Sequence, residues 1–421
     1  MTIPTNAELL GKVDIRGAGP RCKLLIGDIN GDGRMELVLV QPDDRQDVRY
    51  IPHHVQCVTA YDLDGRLLWQ TGKPSEQAGG PGSDYPAQLY DLDGDGKLEV
   101  LCVMDGRFLL LDGATGGVKA EYELPDPQAH DCIIIANLSG GEKASDVILK
   151  DRYRRMWALN RNLELLWTHE GNPGHFPWVY DLNGDGRDEV MAGYDLLDHQ
   201  GKKLWSCLEL EDHADCIWVG DVNGDGEPEL VIGGSVTVMY DKQGRELWRY
   251  DGSIESQHVA LGKFRSDLPG LQIAGLDRIV RGDTGDKLST SGKDALFLLD
   301  AEGQEVWKEE RTTGGWLTII ETLSGWDDGQ LDYILAYRRG GGVFPTLYDG
   351  HLNAVTVFPV DGYAAHADLF GEGREQVIIY DQETAYVFAS RPRDLSAAVP
   401  GSPLRQPKRL YSSTLYPGGE V

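Results

Sequence analysis

Four short stretches repeat one pattern of oxygen-bearing side chains. Asp28, Asn30, Asp32 and Glu36 lie in DINGDGRME, and Asp91, Asp93, Asp95 and Glu99 lie in DLDGDGKLE. Asp181, Asn183, Asp185 and Glu189 lie in DLNGDGRDE, and Asp221, Asn223, Asp225 and Glu229 lie in DVNGDGEPE. Alternating oxygen ligands around a glycine-permitted turn suit a hard cation of high coordination number, so these loops read as structural Ca²⁺ sites. The closing acid comes too early for an EF-hand. A solvated Asx-turn is the alternative, because Asp, Asn and Gly favour turns for local backbone reasons.

A second set of residues suits proton chemistry. His130, His175, His213, His258 and His366 sit at or near the start of apolar runs such as HDCIII, HFPWVY and HADCIW. Basic residues gather in KDRYRR, which holds Lys150 and Arg152, and recur at Arg278, Arg281, Arg311 and Arg338. Taken singly, each histidine is a satisfied strand residue and each basic cluster a solvated face. Taken together, they fit β-elimination from a uronic acid, in which a cation neutralises the carboxylate and an imidazole or phenol moves the proton. On that reading His130, His175, His213, His258 and Tyr153 are the acid–base candidates, and Arg152 and Arg338 neutralise the carboxylate. Lys150, Arg278, Arg281, Arg311, Trp316, His366 and Tyr85 are the candidates for sugar contact. Hydrolysis would call for a converging carboxylate pair, and the conspicuous carboxylates are already committed to the acidic loops. No nucleophile elbow, zinc motif or dinucleotide fingerprint stands out.

Short strands must position these groups. Around each acidic loop, or a worn version of it, an apolar run precedes and a second follows, as in CIWVGD and PELVIGG. A third run then reaches a D-x-x-G turn and a fourth that often ends in Trp, as in TVMYDKQGRELW. Such turns between alternating runs are hairpin signals. The anchors of this repeat are Asp28, Asp91, Asn137, Asp181, Asp221, Gly262, Thr322 and Asp368. Four strands per repeat of about 40 to 60 residues describe a β-propeller blade. The expectation is therefore an all-β chain forming one propeller domain over residues 1–421. Its blades would be four-stranded and antiparallel, eight by anchor count or seven with a partial repeat. Insertions are expected near 41–58 and 263–295, with a C-terminal tail over 391–421. The last repeat lacks an obvious fourth strand, which KVDIRG near the N-terminus or RLYSSTLY near the C-terminus would supply. The recurrent Trp reads as packing between blades.

Composition excludes several classes. The 421 residues carry 68 acidic against 40 basic side chains, a formal charge of −28. Such a surface repels nucleic acid and anionic membranes. No apolar run is long enough to span a bilayer. No signal peptide is visible in MTIPTNAELL, and the six cysteines lie singly in apolar runs as buried thiols. Both point to the cytoplasm. Oligomeric state leaves no signal.

The acidic loops on propeller strands, with HADLFGEGREQVIIY at 366–380 and QPKRLYSSTLYPGGE at 406–420, resemble the rhamnogalacturonan lyases of polysaccharide lyase family eleven. That resemblance implies an eight-bladed calcium-binding propeller that cleaves a rhamnose–galacturonic acid chain by β-elimination. It attaches residues to the metal loops alone. The expected activity is thus a lyase acting on an anionic, uronic-acid-containing and rhamnose-linked oligosaccharide. A rhamnosidase-like hydrolase in the same funnel, or a non-catalytic calcium-stabilised glycan-binding propeller, is the alternative.

Overall fold

The repeat seen in the sequence becomes a series of antiparallel sheets. The computed structural model describes residues 7–45, 52–79, 84–207, 210, 213–277, 280–281, 287–288, 294–311, 318–338, 341–396 and 419–421. Among these the chain is all-β apart from a single 3-10 turn, Arg16–Ala18. The sheet after the third acidic loop is representative: Cys216–Gly220, Glu229–Gly233, Thr237–Asp241 and Glu246–Tyr250 pair in sequence order, each antiparallel to the last. Its first two strands are wholly buried, its third is buried except at Asp241, and its fourth is mostly half-buried or exposed. Burial on both faces follows from neighbouring sheets packing against each side, which is why these strands read as unbroken apolar runs.

In five of the sheets a tryptophan on the fourth strand fixes how that sheet meets the next. The Nε1 groups of Trp69, Trp167, Trp205, Trp248 and Trp307 donate to the carbonyls of Gly113, His199, Lys242, Ala301 and Gly350, each in the turn of the following sheet. Their rings lie flush on those turns. A Cβ on Gly244 would come within 2.6 Å of the Trp205 ring, and one on Gly201 equally close to Trp167. Both glycines also adopt positive φ, 82° and 77°, which side chains resist. The indoles are therefore structural.

The last sheet borrows its outer strand. Glu8–Asp14 pairs antiparallel with Thr384–Ala389, so the N-terminal KVDIRG segment completes the sheet of Tyr363–Ala367 and Gln376–Tyr380. The alternative donor, RLYSSTLY, lies outside the described residues. A further strand that no sequence pattern announces, Gly419–Glu420, runs parallel to Cys216–Gly220 with Trp218 opposite Gly419. The two expected insertions fall between second and third strands. One joins Glu36–Pro42 to Val55–Tyr61, and the other joins Gln272–Asp277 to Asp294–Leu299 through a small ribbon of Val280–Arg281 and Lys287–Leu288. No disulfide forms among the described residues, which include all six cysteines, and five of the six are buried.

First strands of successive sheets, from Lys23–Gly27 through Thr318–Leu323, lie beside one another. Their starting ends therefore gather at one end of the molecule and the acidic loops at the other. Replacing Gly244 by Ala should destabilise the protein by about 1–3 kcal/mol through overpacking and φ strain. The measure is the midpoint of denaturant unfolding, and Gly224→Ala is the control for φ alone, because nothing lies within 4 Å of its Cβ position.

Candidate active site

Three consecutive sheets contribute to one cluster. Tyr153 comes from the turn after Asp146–Lys150, His175 precedes Trp178–Tyr180, and His213 and Asp215 precede Cys216–Gly220. The Nε2 atoms of His175 and His213 stand 3.1 Å apart. Asp215 Oδ1 lies 3.4 Å from the first and 3.5 Å from the second. The Tyr153 hydroxyl is 3.4 Å from His175 Nε2, and its ring packs 5.1 Å from that of His213. Both imidazoles and Asp215 are buried, while Tyr153 is half-buried. Backbone bonds from His175 to Ala214 and from Asp215 to Gly233 hold the two strand entries in register.

The basic residues beside this cluster are committed inward. Lys150 pairs closely with Asp131 Oδ2, and Arg152 Nε donates to Asp131 Oδ1 at 3.0 Å, all three being buried. Burial opposes the charge on Asp131, yet Lys150 and Arg152 hold its carboxyl below the usual range. His130, next in sequence to Asp131, meets the edge of His54 at 4.1 Å and approaches the His53 carbonyl at 3.3 Å. Burial and the neighbouring His54 push its pKa down to about 4, so it is neutral at ordinary pH. Tyr85 bonds the Arg21 carbonyl, carries Lys23 on its ring face, and lines a cavity of about 400 Å³ with Arg21, Lys23, Tyr363 and Tyr380.

Other expected residues fall elsewhere. Arg311 is held by both oxygens of Asp294, at 2.8 and 2.7 Å, beside Arg338 in a small pocket walled by Tyr337 and Tyr348. His258 is fully buried within Ser256–Gly262. His366 does not join the histidines at the strand starts. It lies one residue before the end of its strand, between Glu321 at 3.2 Å and Glu375 at 3.1 Å. Burial lowers its pKa, but the two glutamates outweigh that and raise it to about 9. Arg278 and Trp316 lie outside the described residues, and of Arg281 only the backbone is described.

The acidic loops close in the same way each time. Both oxygens of Asp221 accept backbone N–H groups, from Gly224 and Gly226, and the carboxylate of Glu229 reaches back to Val222 N and Asn223 Nδ2. Asp28 with Glu36, and Asp181 with Glu189, repeat this. Burial, together with Asp32 and Asp28, pushes Glu36 up to about 8, a crowding of acids that a divalent cation fits. The second loop differs. Lys119 Nζ lies 2.6 Å from Asp93, 3.3 Å from Asp95 and 2.7 Å from Glu99, and Lys143 pairs with Asp91.

Residues 28–102 match the FG-GAP-like repeat family. The chain is similar to two proteins of Bacillus subtilis (strain 168). It is 28% identical to rhamnogalacturonan exolyase YesX over 43% of this chain and 39% of the relative. It is 26% identical to rhamnogalacturonan endolyase YesW over 43% of this chain and 38% of that relative. The match thus spans about two fifths of the length of these curated relatives. The crystal structure of the exotype lyase YesX superposes with a TM-score of 0.68 at 18% identity, covering 100% of this chain and 80% of that one. The fold is therefore that of this lyase scaffold.

The position of His366 has a consequence for stability. Its folded pKa, about 9, exceeds the ordinary value of 6.5. The stabilisation it confers is therefore complete below pH 6.5 and lost as pH rises through 9. Unfolding free energy measured at pH 6 and pH 9.5 should differ by less in His366→Gln than in the parent, by on the order of 2 kcal/mol.

Proposed function

We propose that this chain is a carbon–oxygen lyase that cleaves an anionic, uronic-acid-containing and rhamnose-linked glycan by β-elimination, at one end of an eight-bladed propeller. The observation that carries this reading is the Tyr153–His175–His213–Asp215 cluster, on a chain similar to rhamnogalacturonan lyases. Tyr153 is its half-exposed member and so the group a sugar would meet.

In such an elimination a base removes the proton at C5. The C5–H electron pair forms the C4–C5 double bond, the C4–O bond breaks, and the leaving oxygen takes up a proton. Tyr153, as phenolate, takes the C5 proton. In a glucuronate, whose C4–O bond lies on the same face, the phenol returns it to the leaving oxygen. In a galacturonate, whose C4–O bond lies on the opposite face, water supplies that proton. The imidazoles and Asp215 behind it set the charge against which the phenol ionises. His130, neutral and packed on His54, serves as wall. The carboxylate also needs a counter-charge, because the proton at C5 is acidic only when the adjoining carboxylate is neutralised. Lys150 and Arg152 on Asp131, and Arg311 on Asp294, already meet carboxylates of the protein.

The acidic loops are assigned a bracing role in the same reading, with Ca²⁺ held by the first, third and fourth. In the second, the Lys119 ammonium answers the acids, and an ion would have to displace it.

Incubating the protein with rhamnogalacturonan and rhamnosyl-glucuronate oligosaccharides should raise the ultraviolet absorbance of unsaturated uronate ends. Tyr153→Phe should slow that rise by about 10²–10⁴-fold. Saturated ends would instead mark a hydrolase, and glycan affinity with no turnover across the panel would mark a binding module. Removing Ca²⁺ with a chelator should lower Tm by several degrees and readdition should restore it. A Tm indifferent to chelation would remove the bracing role.

A further inference from the structure

We infer that the cavity of about 400 Å³ walled by Lys23, Tyr85, Asp361, Tyr363 and Tyr380 is a second sugar pocket, built for an uncharged hexose unit. It shares no residue with the cluster of Tyr153, His175, His213 and Asp215. Lys23 opens the strand Lys23–Gly27, Tyr85 precedes Ala87–Tyr90, and Tyr363 opens Tyr363–Ala367 with Tyr380 opposite it. The cavity therefore lies at the same end of the sheets as the cluster, but on different sheets. Its volume is that of a small-molecule site, and its walls combine aromatic faces with a few fixed polar groups, as such sites do. Tyr363 and Tyr380 stack with centroids 5.7 Å apart and planes at 26°, so one aromatic wall is already built. Tyr363 is half-buried and is the accessible member of that wall.

The polar groups decide which sugar fits. Asp361 Oδ2 accepts the Gly342 N–H at 2.5 Å, which fixes the carboxylate. Asp361 Oδ1 is buried and meets no donor among the described residues. A buried acceptor without a donor is costly, and a sugar hydroxyl supplies the missing O–H. A ligand carboxylate would instead bring like charge to this oxygen and leave it without a donor. Asp381 and Gln382, exposed at the rim, add a second carboxylate and an amide. The two cations of the wall do not reverse this balance. Lys23 is buried with its ammonium 4.2 Å over the Tyr85 ring, and Arg21 is exposed, where water and salt screen it. That the hexose belongs to the chain being cleaved rests on the lyase reading, whereas its binding does not. Within that reading the pocket holds an uncharged unit while a uronate unit meets Tyr153. It thereby selects chains that carry both kinds of unit over chains of uronate alone.

Saturation-transfer NMR on the full chain, with methyl rhamnoside as the uncharged probe and methyl glucuronide as competitor, tests the pocket. The parent should bind the rhamnoside saturably at millimolar concentration, and an equal concentration of glucuronide should not displace it. Tyr363→Ala should weaken rhamnoside binding by about tenfold or more. Tyr153→Phe should leave it unchanged. Asp361→Asn keeps an oxygen for Gly342 and presents N–H where the second oxygen stood. The glucuronide should therefore displace the rhamnoside from this variant, a gain that a misfolded chain could not show. No saturable rhamnoside binding, binding unmoved by both pocket variants, or displacement by glucuronide from the parent would overturn the pocket. Elimination by a parent that binds no rhamnoside would remove the pocket and leave the lyase reading. Rhamnoside held in the pocket without elimination on any substrate would leave the pocket and remove the lyase reading.

Discussion

The indole of one sheet against the turn of the next is the contact on which the arrangement depends. A tryptophan at the end of a fourth strand reaches a backbone carbonyl in the following sheet at between 2.7 and 3.1 Å, and this happens at five junctions, four of them successive. Each bond joins a donor that burial would otherwise leave costly to an acceptor in a turn with its own orphan carbonyl. Because the same contact recurs, consecutive sheets meet in the same way, and their first strands come to lie side by side. The convergence of Tyr153, His175, His213 and Asp215 is a product of that repetition. No single sheet contains the cluster.

The two ends of the sheets then do different physical work. At one end, carboxylates fold back on backbone N–H groups within tight acidic loops. At the other, imidazoles and a phenol meet across sheet boundaries, beside ion pairs buried within single sheets. The Lys150–Asp131–Arg152 set is expensive to desolvate, and pairing two cations with one carboxylate recovers that cost only while all three stay in place. Its position beside Tyr153 makes it a brace for the turn that carries the phenol. This is a different task from meeting a ligand.

The strands and acidic loops were legible in the sequence because the repeat writes them out several times, and the packing role of the tryptophans followed from their fixed position in the repeat. The site was legible only in part. His175, His213 and Tyr153 could be singled out by type and position. Asp215 was missed, although it lies two residues from His213 at the entry to a strand, where alternate residues share a face. Lys150, Arg152 and Arg311 looked available for a ligand because a one-dimensional reading cannot see Asp131 or Asp294 facing them. Lys119 was invisible for the same reason, lying a full hairpin away from the acids it meets. His366 looked like its fellows, but it sits nearer its anchor, which carries it down the strand to Glu321 and Glu375.

The pairing of Glu8–Asp14 with Thr384–Ala389 sets an order of events during synthesis. Glu8–Asp14 has no partner until Thr384–Ala389 has left the ribosome. Until then Thr384–Ala389 has not formed either, and closing so long a loop is slow. The intermediate sheets can assemble in turn behind the ribosome, each latched to the one before. The sheet that holds Thr384–Ala389 must take its outer strand from a far-off piece of the polypeptide, and until it does the molecule displays a bare strand edge that invites pairing with a neighbour.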